Sequence, residues 1–281
     1  MPHRSSRIDT KYRKLQEIVR ELHRVVVAFS GGVDSTFLLK VCRDVVGDNV
    51  LAVTASSPTT AGHELQDAGR LAKGMGAEHL VIDSRELNLE EFLGNPPDKC
   101  YICKKSRFGD LIAKAGELGF HVVTDGENAD DHDDYRPGIQ ATRELGVRSP
   151  LREAGLTKKE IRALSRRLGL PTWNKPSYAC LATRIPYGLR ITPEKLRQID
   201  AAEEFVRTLI PSVQVRVRHH GDTARIEVAH NALAKLIKPD NRRSIVDHFK
   251  GLGFHYVAVD LEGYTMGSLN RPLLKGSTQN G

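Results

Sequence analysis

Apolar and polar positions along the chain follow one rhythm up to about residue 190 and a different one beyond it. Leu15, Ile18, Val19 and Leu22 share a helical face in the lead-in segment 1–23. Val25 to Phe29 is an unbroken apolar run of buried-strand length, stopped by Ser30-Gly31-Gly32, after which Leu38, Val41, Cys42 and Val45 mark a helix. Asn49–Thr54 reads as a second strand, Thr60–Met75 as a helix and Glu78–Ile82 as a third strand. Asn88 to Lys99 reads as irregular, with a firm break at Asn95-Pro96-Pro97. Phe108, Leu111, Ile112, Ala115 and Leu118 then predict a helix over Lys104–Leu118, and Phe120–Thr124 a fourth strand. Strands alternating with helices predict an α/β fold with a doubly wound parallel sheet.

Thr157 and Glu160 form a capping box for a helix ending at Leu168. A long loop from Leu170 to Arg190 follows, broken by Pro171, Pro176 and Pro186. Thr192-Pro193 opens a helix carrying Leu196, Ile199, Phe205, Val206 and Leu209. The period then changes to two: Val213–Arg218 and Ala224–Ala229 flank His219-His220-Gly221-Asp222 as a hairpin, and two short helices and a strand at Tyr256–Leu261 complete the pattern. The chain is therefore divided into a domain over 1–189, carrying the loop with Cys180, and a smaller C-terminal α+β domain over 190–281. No internal repeat is visible.

With 281 residues, 40% of them hydrophobic, there is material for a real core. No apolar run approaches the length of a membrane span, and the N-terminus carries no apolar leader, so a membrane partner is not expected. Four cysteines do not make a disulfide scaffold, and a reducing cytoplasm is the expected location. The formal charge of +7 is densest from Arg143 to Arg197, either as a solvated helix face or as an attractor of phosphorylated substrates.

The turn after the first strand narrows that choice. A helix start offers unsatisfied N–H groups and the positive end of a dipole, and glycines let the backbone approach an anion. Ser30, Gly31, Gly32, Asp34, Ser35 and Thr36 supply this arrangement, without the lysine of a Walker loop. Ser30-Gly31-Gly32-Val33-Asp34-Ser35-Thr36 resembles the SGGxDS loop of the PP-loop ATP pyrophosphatase superfamily. That resemblance implies ATP cleaved between its α and β phosphates, leaving an adenylated substrate. Thr54 and Ser56, at the end of the second strand, are candidate neighbours of the adenosine. The segment Asp125-Gly126-Glu127-Asn128-Ala129-Asp130-Asp131-His132-Asp133-Asp134 packs five aspartates and one glutamate into ten residues after the fourth strand. If that strand neighbours the first, this loop faces the phosphate loop, and carboxylates such as Asp131 are candidate Mg²⁺ ligands. A solvated acidic loop explains the same composition.

Cys42 reads as a packed core residue. Cys100-Tyr101-Ile102-Cys103 lies just before a helix and Cys180 far off in sequence. A structural zinc lacks a fourth ligand, and a redox disulfide lacks a thioredoxin-like setting. Three cysteines suffice for a cubane iron–sulfur cluster with one open iron, and plain packing also remains. Lys175 and Arg184 flank Cys180, and positive neighbours favour a thiolate, so Cys180 is read as a nucleophile, a cluster ligand or both.

Taken together, the SGGVDST loop, Asp125-Gly-Glu-Asn-Ala-Asp-Asp with Tyr135-Arg-Pro-Gly, Ala179-Cys-Leu-Ala-Thr-Arg and Val215-Arg-Val-Arg-His resemble the LarE family over about residues 10 to 270. LarE proteins are ATP-dependent sulfur transferases of nickel-pincer nucleotide biosynthesis. The resemblance implies pyridinium-3,5-biscarboxylic acid mononucleotide as substrate, adenylation of its carboxylates, and replacement of AMP by sulfur. ATP, with Mg²⁺, is expected at Ser30–Thr36, Thr54, Ser56, Asp125, Gly126 and Asn128. One branch of the family sacrifices the cysteine matching Cys180; the other holds a [4Fe-4S] cluster, for which Cys100, Cys103 and Cys180 are the candidate ligands here. Arg184, Arg216 and Arg218 are candidates for the substrate phosphate, and Glu204 and Glu227 for orienting substrate or an arginine. Arg216 and Arg218 alternate with Val215 and Val217 and are expected on an available sheet face away from the core. A sulfide source and a homo-oligomer are further expectations. No RNA-binding module is visible, so nucleic acid is not expected as a partner, a tRNA thiolase being the nearest rival.

Overall fold

Val25–Ala28 (β1), Val50–Ser56 (β2), Glu78–Asp83 (β3) and Val123–Thr124 (β4) form a parallel sheet in the order β3-β2-β1-β4 in a computed structural model. The structure describes residues 7–132, 137–176, 179–211, 213–265 and 269. Successive side chains of β1 point to opposite faces. Val25 and Val27 join Val50 and Ala52 in a core with Arg7–Leu22 (α1), Val33–Val46 (α2) and Gly62–Gly74 (α3). Val26, with Leu51 and Val53, packs instead against Leu111 and Ala115 of the later helix Lys99–Glu117. Both faces are covered, as an all-apolar parallel strand requires.

The first compact unit comprises 1–92 and 97–178, the second 93–96 and 179–281. The sequence division at 189/190 is not where these units part. Asn95 explains the short excursion, because its Nδ2 donates to the carbonyls of Ile185, Pro186 and Leu189 at 3.2, 2.7 and 2.9 Å. Between β3 and β4 the chain forms Glu90–Leu93 (α4) and Lys99–Glu117 (α5). After β4 come Pro137–Glu144 (α6), Pro150–Glu153 (α7) and Lys158–Arg167 (α8), the last with the predicted Thr157/Glu160 capping box.

α4 lies in the segment expected to be irregular, and among the shifted boundaries two bear on the site. α5 begins at Lys99, not Lys104, so Cys100 and Cys103 lie within its first two turns and not before it. Pro96-Pro97-Asp98 is compatible with a helix start as much as with a break, and the polar run Lys104-Lys105-Ser106-Arg107 hid the apolar stripe until Phe108. β4 is confined to Val123–Thr124 because Phe120 N–H bonds back to Ala115 O and closes α5.

In the second unit, Pro193–Leu209 (α9), Val215–His220 (β5), Thr223–Val228 (β6), Leu233–Leu236 (α10), Pro239–Gly251 (α11) and Tyr256–Val259 (β7) follow in order. The sheet order is β5-β6-β7, antiparallel then parallel. Ala202 and Val206 of α9 meet Val215, Val217, Ala224, Ile226, Ile245 and Phe249 in its core. Among the described residues no helix is long and apolar enough to cross a membrane.

Candidate active site

The crossovers leaving β1 run to β2 on one side, while β4 pairs on the other. The chain direction across the sheet reverses there, and the crevice lies beyond the carboxyl ends of β1 and β4. Gly31 has φ +66°, and a Cβ on it would sit 3.2 Å from the Ala68 backbone of α3. Only glycine suits that position. Ser30 and Ser35 hydroxyls lie 3.2 Å apart, and Thr36 N–H bonds to Gly32 O at 3.0 Å to begin α2. Gly32 caps α2 without a side-chain bond. Thr36 Oγ1 and Asp34 Oδ1 are buried and have no hydrogen-bond partner among the described residues. Such atoms are costly unless a ligand satisfies them.

The loop after β4 closes against this helix start. A Cβ on Gly126 would stand 3.1 Å from Ser35 N and 3.2 Å from Asp34 Cβ. Backbone contact this close confirms that the two loops face one another. Asp125 Oδ1 accepts from Ser149 Oγ at 2.8 Å and from Glu127 N–H at 3.1 Å, and burial raises its pKa against the nearby Lys104 charge. Asn128 N–H donates to Asp131 Oδ2 at 3.0 Å, and Asn128 Oδ1 accepts from Asp130 N–H at 2.9 Å. Burial holds the Asp34 carboxyl above the usual carboxylate range; Lys158 opposes this, and Asp131 adds to it. The partnerless Oδ1 of Asp34 beside a second carboxylate is a fitting place for Mg²⁺, a hard cation that shares ligands with phosphates. Asp133, Asp134, Tyr135 and Arg136 lie outside the described residues.

At the end of β2, Thr54 Oγ1 donates to Phe29 O at 2.7 Å and meets His79 Nε2 at 2.8 Å, tying β2 to the phosphate loop. Ser56 is half-buried. Just beyond, Glu86 is fully buried, bound by Ser57, Ser84 and Arg107, the last at 2.6 Å. Burial alone would raise its pKa, but Arg107 and the hydroxyls bring it down to about 2.

In the second unit Cys180 is exposed and caps the 3-10 turn Leu181–Arg184. Arg184 is only 1% exposed. Its Nε and Nη2 pair with the Glu203 carboxylate at 2.8 and 3.1 Å, while Nη1 holds the carbonyls of Ala179 and Cys180 at 2.6 and 3.0 Å. Glu203 also accepts Val217 N–H at 3.0 Å and Arg207 Nη2 at 2.9 Å. Arg218 repeats the device, with Glu227 on its fork at 2.9 and 2.7 Å and Thr183 O on Nη1 at 2.8 Å. Arg216 lies over the Tyr264 ring at 5.3 Å, and its pKa is lowered by burial and then by Arg184. The expectation that Arg216 and Arg218 occupy an available sheet face is corrected: they are 3% and 7% exposed. Carboxylates on α9 and β6 make their burial tolerable. Glu204 is exposed and pairs with Arg207 at 2.9 Å. Ser177 and Tyr178, just before the cysteine turn, lie outside the described residues.

The family model for NAD synthase matches residues 8–92, the stretch from α1 through the phosphate loop to β3. The pyridinium-3,5-bisthiocarboxylic acid mononucleotide synthase of Lactiplantibacillus plantarum is 39% identical over 268 residues, 95% of this chain and 96% of that protein. The chain belongs to the LarE family. An uncharacterized protein of Synechocystis, slr1717, is 43% identical over 95% of this chain and all of its own length. The tRNA-specific 2-thiouridylase MnmA of Parvibaculum lavamentivorans is 33% identical over only 62% of this chain and 53% of its own. LarE similarity thus spans both units, whereas the thiouridylase similarity stops short.

For a LarE-family chain the cysteines are the informative donors. Cys42 is buried in the first core, and its thiol is pushed up to about 12 by burial, so it is inert packing. Cys100 is exposed and Cys103 half-buried on one face of α5, a helical turn apart. Two thiols so placed fit one side of an iron–sulfur cluster. Among the described residues, no group of three or more His, Cys, Asp or Glu side chains is gathered as a metal site.

Sequence reading missed Glu203, although a signal was present. Leu196, Ile199, Glu203 and Val206 lie on one helical stripe, where an acid is expected only with a buried partner. The sequence does not single out Lys158, and it offers Lys175 only as a neighbour of Cys180. Lys158 Nζ pairs with Asp34, and Lys175 Nζ donates to Gly31 O at 3.2 Å.

Proposed function

We propose that this protein is an ATP-dependent sulfur transferase that converts the carboxylates of pyridinium-3,5-biscarboxylic acid mononucleotide to thiocarboxylates. The observation that carries this reading is the 39% identity to the bisthiocarboxylic acid mononucleotide synthase over nearly the whole of both chains. A substrate carboxylate oxygen attacks the α-phosphorus of ATP, and pyrophosphate leaves. Ser30, Gly31, Gly32, Ser35 and Thr36 hold the departing pyrophosphate, and Thr54 and Ser56 flank the adenosine. Asp34 and Asp131 hold Mg²⁺, while Asp125, Gly126 and Asn128 shape the facing wall. Bound Mg²⁺ offsets the charge that accumulates on the leaving pyrophosphate. A sulfur nucleophile then adds to the acyl carbon, and AMP departs. No net oxidation is involved.

Cys100, Cys103 and Cys180 are the residues we assign to hold a [4Fe-4S] cluster, which when bound would supply the sulfur for transfer. The alternative uses Cys180 alone: its thiolate displaces AMP, loss of the Cα proton breaks the Cβ–S bond, and dehydroalanine remains. Arg216 is assigned to the substrate phosphate, because an anion relieves the repulsion among three clustered arginines. Arg184 and Arg218 act as positioning residues for the cysteine turn. Glu227 orients Arg218, and Glu204 orients Arg207.

Anaerobic reconstitution is expected to give brown protein with about four irons per chain. Colour that survives Cys100→Ala with Cys103→Ala contradicts these ligands. Mass spectrometry of Cys180 after many turnovers separates the routes: intact cysteine supports the cluster, dehydroalanine the sacrificial thiol. AMP release stimulated by tRNA, but not by the pyridinium substrate, would favour the thiolase rival.

A further inference from the structure

A phosphate loop without its own lysine needs positive charge from elsewhere. Two ammonium groups reach this one from outside it. Lys158 stands in the first turn of α8, where the helix dipole disfavours a cation. Its backbone N–H donates to Asp130 Oδ2 at 2.8 Å, and its Nζ spans to Asp34 on α2. Lys175 donates to Gly31 O at 3.2 Å and lies 3.4 Å from Asp67 Oδ2. Arg162 fixes the segment that carries Lys175 by donating to Trp173 O at 2.9 Å and Lys175 O at 3.0 Å.

The Lys158–Asp34 pair is only half complete. One carboxylate oxygen takes the ammonium, while Oδ1 is buried with no hydrogen-bond partner among the described residues. Lys158 keeps 35% of its side chain exposed, so it is free to swing, whereas Asp34 is fixed on the helix. An anion arriving at Ser30–Thr36 attracts the ammonium, and a hard divalent cation prefers the carboxylate.

We propose that Lys158 and Lys175 supply the phosphate-binding charge of this loop, and that Lys158–Asp34 is an exchange pair. When metal and polyphosphate bind together, Lys158 passes from Asp34 to a phosphate oxygen and the metal takes its place on Asp34. Lys175 stays on the loop and faces the same anion. The pair also guards Asp34 against a metal arriving alone. This inference rests on the reading of the loop as an ATP site.

The test uses inorganic pyrophosphate and Mn²⁺ as separate probes on the full-length protein, by calorimetry and by Mn²⁺ electron paramagnetic resonance. Lys158→Ala is expected to weaken pyrophosphate binding in the presence of Mg²⁺ by about tenfold, yet tighten Mn²⁺ binding without pyrophosphate. Adding Asp34→Asn is expected to abolish that tightening. Lys175→Ala is expected to weaken pyrophosphate binding and leave Mn²⁺ binding alone. Lys158 is partly exposed, so thermal melting of its variant should stay near that of the parent. If Lys158→Ala weakens both probes, or changes neither, the exchange pair is refuted. If the parent protein binds no pyrophosphate at all, the ATP reading falls first and the exchange pair with it.

Discussion

Asp34 shows what a single side chain concedes to function. Burial raises its pKa, so the folded state binds a proton more readily than the unfolded chain. Stability from such a group is present at low pH and lost as pH rises through its folded value. At neutral pH the ionised carboxylate therefore detracts from stability. Asp34→Asn is expected to leave Tm unchanged or higher while cutting pyrophosphate release by about a hundredfold or more. A lower Tm with activity retained would contradict its role. Arg184 is the opposite case. Its side chain and that of Glu203 are 1% and 0% exposed. Arg184→Met leaves the buried Glu203 carboxylate with Arg207 and Val217 N–H as its remaining partners and is expected to cost about 3 kcal/mol in denaturant unfolding. Arg184→Met with Glu203→Leu should recover much of that loss. A single variant as stable as the parent would show that the clamp holds nothing.

At the scale of elements, the polar knot beyond β2 makes its own prediction. The Glu86 carboxyl titrates at about 2 against an ordinary 4.5. Its stabilisation is present above the ordinary value and lost as pH falls through about 2. Glu86→Gln is expected to flatten the acid limb of the stability curve between those values, followed by urea unfolding at successive pH. A limb of unchanged slope would place the acid sensitivity elsewhere. The strand-loop-helix unit at 25–46 was legible because its signals are local: a run of valines, then glycines, then an apolar stripe. The start of α5 was not, since Lys104-Lys105-Ser106-Arg107 interrupts the stripe and Pro96-Pro97 reads equally as an end or a beginning. Lys158 and Lys175 were illegible for a different reason. Their targets, Asp34 and Gly31, lie more than a hundred residues away in sequence, and the packing of α8 against α2 brings Lys158 to Asp34.

Across the whole molecule, the chemistry is divided between two compact units. The first carries the phosphate loop, the facing acidic loop, Cys100 and Cys103; the second carries Cys180 and its arginines. The α/β fold and the LarE family were readable from period and motif, because each motif is continuous in sequence. The ion pairs that hold Cys180 were readable only in part: Arg184 and Glu227 stand out in the sequence, but nothing local beyond the apolar stripe separates Glu203 from its neighbour Glu204, one position around α9. The function proposed for the whole chain is tested most directly by one incubation. Purified protein is given ATP, Mg²⁺, sulfide and pyridinium-3,5-biscarboxylic acid mononucleotide, and the nucleotides and the pyridinium species are followed by mass spectrometry. The proposed function predicts AMP and pyrophosphate formed only when the substrate is present, together with a product in which sulfur has replaced carboxylate oxygen. AMP formed without any sulfur in the pyridinium product, or no AMP at all, would contradict it.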